Sequence, residues 1–387
     1  MRIPMSRPSL TEAEVQAVRE VFESGWLGEG ARTAEFERTL KEYTGSLHVV
    51  AVNNGTSALH LALDVLGVGP GDEVILPSFT FASDPMAVRL CGATPVFADI
   101  DPHTLNLDPR RIEPHITPRT RVVMPTDYAG LPTDIQGTRR VLGDRDIKIV
   151  RDAAHSFGSR INGRPVGIWC GEDATCFSFD AIKNLTCGEG GAVLVSTDEL
   201  ADRIRRKKTL GFKAGSRMRA PGSAVEVRGV VETGYRYHMS DINAAIGLAQ
   251  FRRFPEIAEK KRKVARQYDV LLADCHPVRT FPRDYEEVVP FIYPVRVSSS
   301  RRDGLIEYFA RHGIHADLRY WPCHQEPLFA QERPELPVTE AVAREVICLP
   351  IHAGLETGEV EEIVSLIKDY LGGDERGDGE MHADSAH

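Results

Sequence analysis

The feature that most limits the fold is an alternation. From about residue 50, short apolar runs take turns with helical patterns. The runs are EVIL (Glu73–Leu76), PVFA (Pro95–Ala98), RVVM (Arg121–Met124), KIVR (Lys148–Arg151), TCFSF (Thr175–Phe179) and AVLV (Ala192–Val195). Helical patterns fill several of the gaps, as in TSALHLALDVL (Thr56–Leu66), which Gly67 closes as a C-terminal cap. Strands alternating with helices predict an α/β fold with a largely parallel sheet. In such sheets, ligands gather at the carboxyl ends of the strands.

Upstream, Thr11-Glu12-Ala13-Glu14 reads as a capping box opening a first helix, which Gly25 ends. Near residue 250 the alternation gives way to a long charged helix and then a mixed region. Residues 1–250 are therefore expected to form a large domain and 251–372 a smaller C-terminal α+β domain. The N-terminal helix is free to pack on the smaller one. The Gly/Asp-rich end, 373–387, is expected to be disordered.

Charge narrows the function. A net charge of −9, from 47 basic and 56 acidic residues, argues against nucleic acid as a partner. The basic clusters RIRRKK (203–208) and KKRK (260–263) read as solvated helix faces. Seven cysteines without a CxxC pair predict no disulfide framework and no metal centre. The first residues show no apolar signal segment, and no apolar run approaches the roughly 20 residues of a membrane span. A cytoplasmic protein is expected.

Three loop stretches carry candidate chemistry. Asn53-Asn54-Gly55-Thr56-Ser57 runs from a loop into a helix, so Thr56 and Ser57 read either as an anion cradle or as an ordinary N-cap. Asp152 ends a strand before two alanines and His155. It reads as an acid facing a flat ligand or as the cap of a turn. Lys183 sits in a glycine-rich loop after FSF, either on the surface or as a desolvated nucleophile. Phe81, in PSFTF, suits a ring-packing face or a core position. Together, cradle, acid and lysine match what pyridoxal 5′-phosphate (PLP) demands: donors for a phosphate, an anion for a pyridine nitrogen, and an amine for an aldehyde.

A run of motifs strengthens that reading. In order they are GWLGEG, NGTSALHLAL, GPGDEVILPSFTF, GATPVFADIDP, DAAHSFG, CFSFDAIKNLTCGEGGAV, GYRYHMSDINAAIGLAQ and YWPCHQEPLF. From about residue 7 to 370 the chain resembles the DegT-type sugar aminotransferases, which are fold-type-I PLP enzymes. The resemblance implies a mostly parallel mixed sheet between helices in the large domain. It places Lys183 at the lysine that joins the cofactor's aldehyde and Asp152 at the acid that pairs with its ring nitrogen. Thr56, Ser57 and Ser178 match phosphate contacts, Phe81 an aromatic ring against the cofactor, and His155 a contact to the ring or its hydroxyl. Some relatives carry histidine in place of the lysine and are dehydratases, so Lys183 implies transamination.

The implied reaction moves an amino group from L-glutamate to a 4-keto- or 3-keto-6-deoxyhexose on a nucleoside diphosphate. Relatives work as homodimers with shared sites. Two departures stand out. Where relatives have G-x-N-x-R, this chain has Arg236 and His238. Arg236 is expected to reach the partner subunit's cofactor phosphate, and His238 falls where an arginine helps hold substrate. Asp127 stands where relatives often show histidine, and with Tyr320 it joins the expected substrate contacts. A keto-cyclitol is the alternative acceptor, and a non-catalytic regulator on the same fold the more distant one.

Overall fold

The computed structural model describes residues 1–219, 226–329 and 334–372. The expected disordered tail, 373–387, lies outside the described residues.

A seven-stranded sheet forms the centre of the molecule. Its order is His48–Val52, Gly191–Val195, Ala174–Ser178, Lys148–Asp152, Thr120–Val123, Glu73–Pro77 and Thr94–Ala98. Gly191–Val195 is antiparallel to both of its neighbours, and every other pairing is parallel. All six expected strands are present. His48–Val52 is an additional strand. Its apolar residues Val49, Val50, Ala51 and Val52 are buried, and it pairs in register with Gly191–Val195.

Burial on both faces explains the continuous apolar strands, as in Ala174–Ser178 where every residue is buried. The helix Gly55–Val65 is apolar nearly all round because it is almost wholly enclosed, and its Leu59, Leu61, Ala62 and Val65 join one core with Val74, Val150 and Val193. At the N-terminus the capping box forms as read. The Thr11 side chain accepts from the Ala13 N–H at 3.3 Å, and the Glu14 carboxylate accepts from the Thr11 N–H at 2.7 Å. Such caps stabilise by about 1 kcal/mol.

The helix Asp241–Leu272 is 32 residues long and passes straight through residue 250. Its first half packs Ala244, Leu248, Phe254 and Ala258 with Phe157 and Phe179 beside the large sheet. Its second half packs Val264, Ala265, Tyr268 and Leu272 into a separate core with Val295, Phe309 and Ile363. A three-stranded sheet, Arg279–Thr280, Tyr293–Arg296 and Val346–Leu349, belongs to that second region. Ile3 joins the second core and pairs with Ile314.

The basic clusters are not simply solvated faces. Lys207, Lys208 and Lys261 are buried. Lys207 pairs with Asp64 at 2.9 Å and Lys208 with Glu29 at 2.7 Å, so buried cations there are matched by carboxylates. Composition of the run hid this, because one helix turn carries both inward and outward positions. All seven cysteines are free. No helix among the described residues is long and apolar enough to cross a membrane.

Candidate active site

Parallel strands deliver their carboxyl ends to one side of the sheet, and a cavity of about 590 Å³ opens there. Thr56, Phe81, Asp152, His155, Ser178, Lys183 and Tyr320 all line it. Ser57, Asp127, Arg236 and His238 do not.

The strand Lys148–Asp152 ends with Asp152 buried at the cavity wall, where it accepts from the Ala154 N–H at 2.9 Å. Burial, with Asp84 beside it, raises its pKa well above the usual carboxylate range. Lys183 follows the strand Ala174–Ser178 through a turn in which its N–H bonds to the Asp180 carbonyl. Its Nζ lies 4.2 Å from the centroid of Phe291. Desolvation lowers its pKa to about 8, against the pull of Asp152. A lysine so placed has an appreciable neutral fraction near neutral pH, as a nucleophile and proton carrier needs.

His155 packs on Phe291 with ring centroids 4.3 Å apart and the planes tilted by 32°, and its Nε2 lies 3.2 Å from the Tyr320 hydroxyl. Burial and the charge of Lys183 hold its pKa well below the usual value, so the ring is neutral. Its Nδ1 is buried and has no hydrogen-bond partner among the described residues. Phe81 is 54% exposed and faces Tyr320 at 5.3 Å between ring centroids. A large aromatic left open at the mouth of a cavity offers a face to a flat ligand.

The helix start is built differently from the sequence expectation. Asn54 is the N-cap, and its Oδ1 accepts from the Ser57 N–H at 2.8 Å. Ser57 is buried, and only Thr56 of the two residues lines the cavity. Gly55 lets the helix start close on Ser178. A Cβ there would meet the Ser178 Cβ at 2.8 Å. A Cβ on Gly191 would meet the Asn54 carbonyl oxygen at 2.5 Å. The result is a compact cradle of Gly55, Thr56 and Ser178 at a helix N-terminus, where an anion is favoured.

Asp127 is corrected by the structure. It is fully buried behind the site and accepts from the Thr133 N–H at 2.8 Å and the Ser156 hydroxyl at 2.6 Å. Arg151, also fully buried, lies 3.6 Å from it. Asp127 therefore anchors loops and cannot touch a substrate in the cavity. Arg236 is exposed between Tyr235 and Tyr237, which stack on each other at 5.0 Å and pack against His60. His238 is half-buried in the same segment, outside the cavity wall.

The sequence reading missed several groups. Arg319 and Asp317 line the cavity, with the Arg319 Nε 3.4 Å from the Asp317 Oδ1. Arg319 directly precedes Tyr320, and that adjacency was the available signal. Asp180 and Glu189 also line the wall. Lys261 donates to the Asn184 Oδ1 at 2.6 Å behind Lys183, and Asp84 meets Asp152. Neither carried a local sign of its position.

The sequence profile of the DegT/DnrJ/EryC1/StrS aminotransferase family matches residues 8–368. The chain belongs to this family. Solved structures agree with the assignment. The aminotransferase TlmJ from Streptoalloteichus hindustanus is 35% identical, superposes with a TM-score of 0.89, and the match covers 96% of this chain and 99% of that one. The sugar aminotransferase CalS13 from Micromonospora echinospora is 31% identical with a TM-score of 0.87, over 95% of this chain and 99% of that one. NtdA from Bacillus subtilis, solved with bound cofactor PMP, is 26% identical with a TM-score of 0.85, over 94% of this chain and 83% of that one. The DegT/DnrJ/EryC1/StrS family has the α/β architecture found here, including the mixed, mostly parallel sheet.

Proposed function

We propose that this family member is a PLP-dependent aminotransferase that moves the amino group of L-glutamate to a keto sugar carried on a nucleoside diphosphate. The observation that carries the reading is the placement of Lys183, Asp152 and the Thr56–Ser178 cradle around one cavity. The residues fit the cofactor. Gly55 lets the helix N-terminus close on Ser178 so that both can face one phosphate, the Nδ1 of His155, without a partner among the described residues, suits a ring substituent, and Asp152 suits a ring nitrogen. The sugar part of the reading draws on relatives such as CalS13.

When bound, PLP supplies an aldehyde that carries the amino group and a pyridine ring that withdraws charge from the reacting carbon. Lys183 would take the proton from the donor's α-carbon and, in the second half of the exchange, deliver a proton to the carbon that was the acceptor's carbonyl carbon. Asp152, as the anion, holds the proton on the ring nitrogen. Neutral His155, fixed by Tyr320 and Phe291, positions the ring. Thr56 and Ser178 hold the phosphate, and Phe81 covers one face. Arg236, exposed and outside the lining of its own cavity, would complete the partner subunit's cradle in a homodimer.

A keto-cyclitol is the second reading for the acceptor. Among the described lining residues, Asp152, Asp180, Glu189 and Asp317 face only Lys183 and Arg319 as cations, a balance that suits an uncharged acceptor. The test has two steps. Purified protein with added PLP should gain a visible absorption band that L-glutamate bleaches while 2-oxoglutarate appears. Protein in the aminated form is then given keto sugar nucleotides or free keto-cyclitols. No bleaching and no 2-oxoglutarate would refute the aminotransferase reading with this donor, and return of the band identifies the acceptor class.

A further inference from the structure

Behind Asp152 lies a second carboxylate that the reaction as described does not use. Asp84, in the helix Ser83–Leu90, is fully buried. Its Oδ2 accepts from the Thr80 hydroxyl at 2.7 Å and the Thr126 hydroxyl at 2.8 Å, and its Oδ1 from the Ser83 hydroxyl at 3.2 Å. Its carboxyl group lies close enough to that of Asp152 for each to act on the other's charge. Thr126 forms a backbone bridge with Asp152, so the strand ends hold the pair together.

Two carboxylates in contact inside a protein cannot both be ionised without a compensating cation. A direct hydrogen bond between them also needs one proton, since an ionised carboxylate only accepts. Three hydroxyl donors on Asp84 favour its anionic form, and the single backbone donor on Asp152 favours it less. The other groups facing the pair are Lys183 and Tyr320 at the cavity and the thiols of Cys176 and Cys323, which burial keeps protonated. Lys183 is thus the cation that faces Asp152 among these groups.

We propose that Asp84 and Asp152 hold one proton between them while the cavity lacks a cofactor, with Asp84 as the standing anion, and that docking of a cationic ring expels that proton. The inference rests on the PLP reading above. Before docking, Asp152 is the donor to Asp84. Afterwards both carboxylates are ionised against the ring cation. The proton lost by Asp152 goes to the ring nitrogen, or to solvent if the nitrogen arrives already protonated. Asp84 is then a positioning residue. It adds a second negative charge behind Asp152, strengthens the hold on the ring proton, and ties the charge state of the pair to cofactor occupancy.

The test counts protons. Titration of PLP into cofactor-free protein at pH 7, in two buffers of different ionisation enthalpy, gives the protons exchanged per site. Wild type should release close to one more proton than Asp84→Asn, because the variant leaves Asp152 already ionised. Infrared spectroscopy of the wild type gives a reading that needs no variant. The carbonyl stretch of a buried protonated carboxyl should be present without PLP and vanish with it. Equal proton counts, or no such band in the cofactor-free protein, would overturn the inference while leaving the PLP reading intact. Failure of wild type to bind PLP at all would overturn both.

Discussion

Lys183 and Lys261 approach the same ring: their Nζ atoms lie 4.2 and 5.7 Å from the centroid of Phe291. Two lysines share one apolar partner, and the charge of Lys183 adds to burial in lowering Lys261 to about 7. The consequence for stability has a definite sign. A lysine whose folded pKa drops from 10.5 to about 7 binds fewer protons folded than unfolded between those values. Stability contributed by this residue therefore rises with pH across that window. In cofactor-free protein, Lys261→Met should show a flatter rise in Tm between pH 7 and 9 than wild type. Parallel Tm-against-pH curves would show that Lys261 is not held neutral.

Lys183→Ala should keep the fold and retain PLP without the covalent link, since the cradle is untouched. Turnover should fall by roughly 10⁴-fold or more, the upper range for loss of a general acid–base group. Circular dichroism and the cofactor's absorption spectrum check the first part, and steady-state assay of 2-oxoglutarate the second.

The two hydroxyls at the helix start should separate cleanly. Thr56 lines the cavity and Ser57 is buried beneath Asn54. Thr56→Val should weaken PLP binding by about 1.5–3 kcal/mol, the worth of a hydrogen bond to a charged group. Ser57→Ala should leave PLP affinity within about twofold, because its backbone N–H and not its hydroxyl binds Asn54. Fluorescence titration with PLP decides between them. Equal losses in both variants would contradict the cradle described here.

Arg236→Ala tests the shared site. If Arg236 completes the partner subunit's cradle with a charge-assisted bond, the variant should lose PLP faster on dialysis than wild type while keeping the same mass by light scattering. Unchanged retention would sink that role.

Tyr320→Phe removes the hydroxyl 3.2 Å from the His155 Nε2. An ordinary hydrogen bond is worth about 1 kcal/mol, so kcat/KM should fall by roughly fivefold. A loss of a hundredfold or more would place the Tyr320 hydroxyl in the chemistry itself.

The strand–helix alternation was enough to specify an α/β sheet, because runs buried on both faces must be continuously apolar. Lys183, Asp152 and Thr56 were also legible as candidates, since each lies at or after the end of an apolar run and strand ends converge on one side of such a sheet, whereas Ser178 entered only through the family resemblance. What the sequence could not settle was which side chain of a polar pair turns inward. Asn54 took the cap while Ser57 is buried beneath it, and Asp127 is buried against Arg151. The strand His48–Val52 formed by pairing with Gly191–Val195, a partner some 140 residues away in the chain. Lys261 and Asp84 became parts of the site only when remote segments packed, because burial and a neighbour's charge belong to the folded chain and not to any stretch of it.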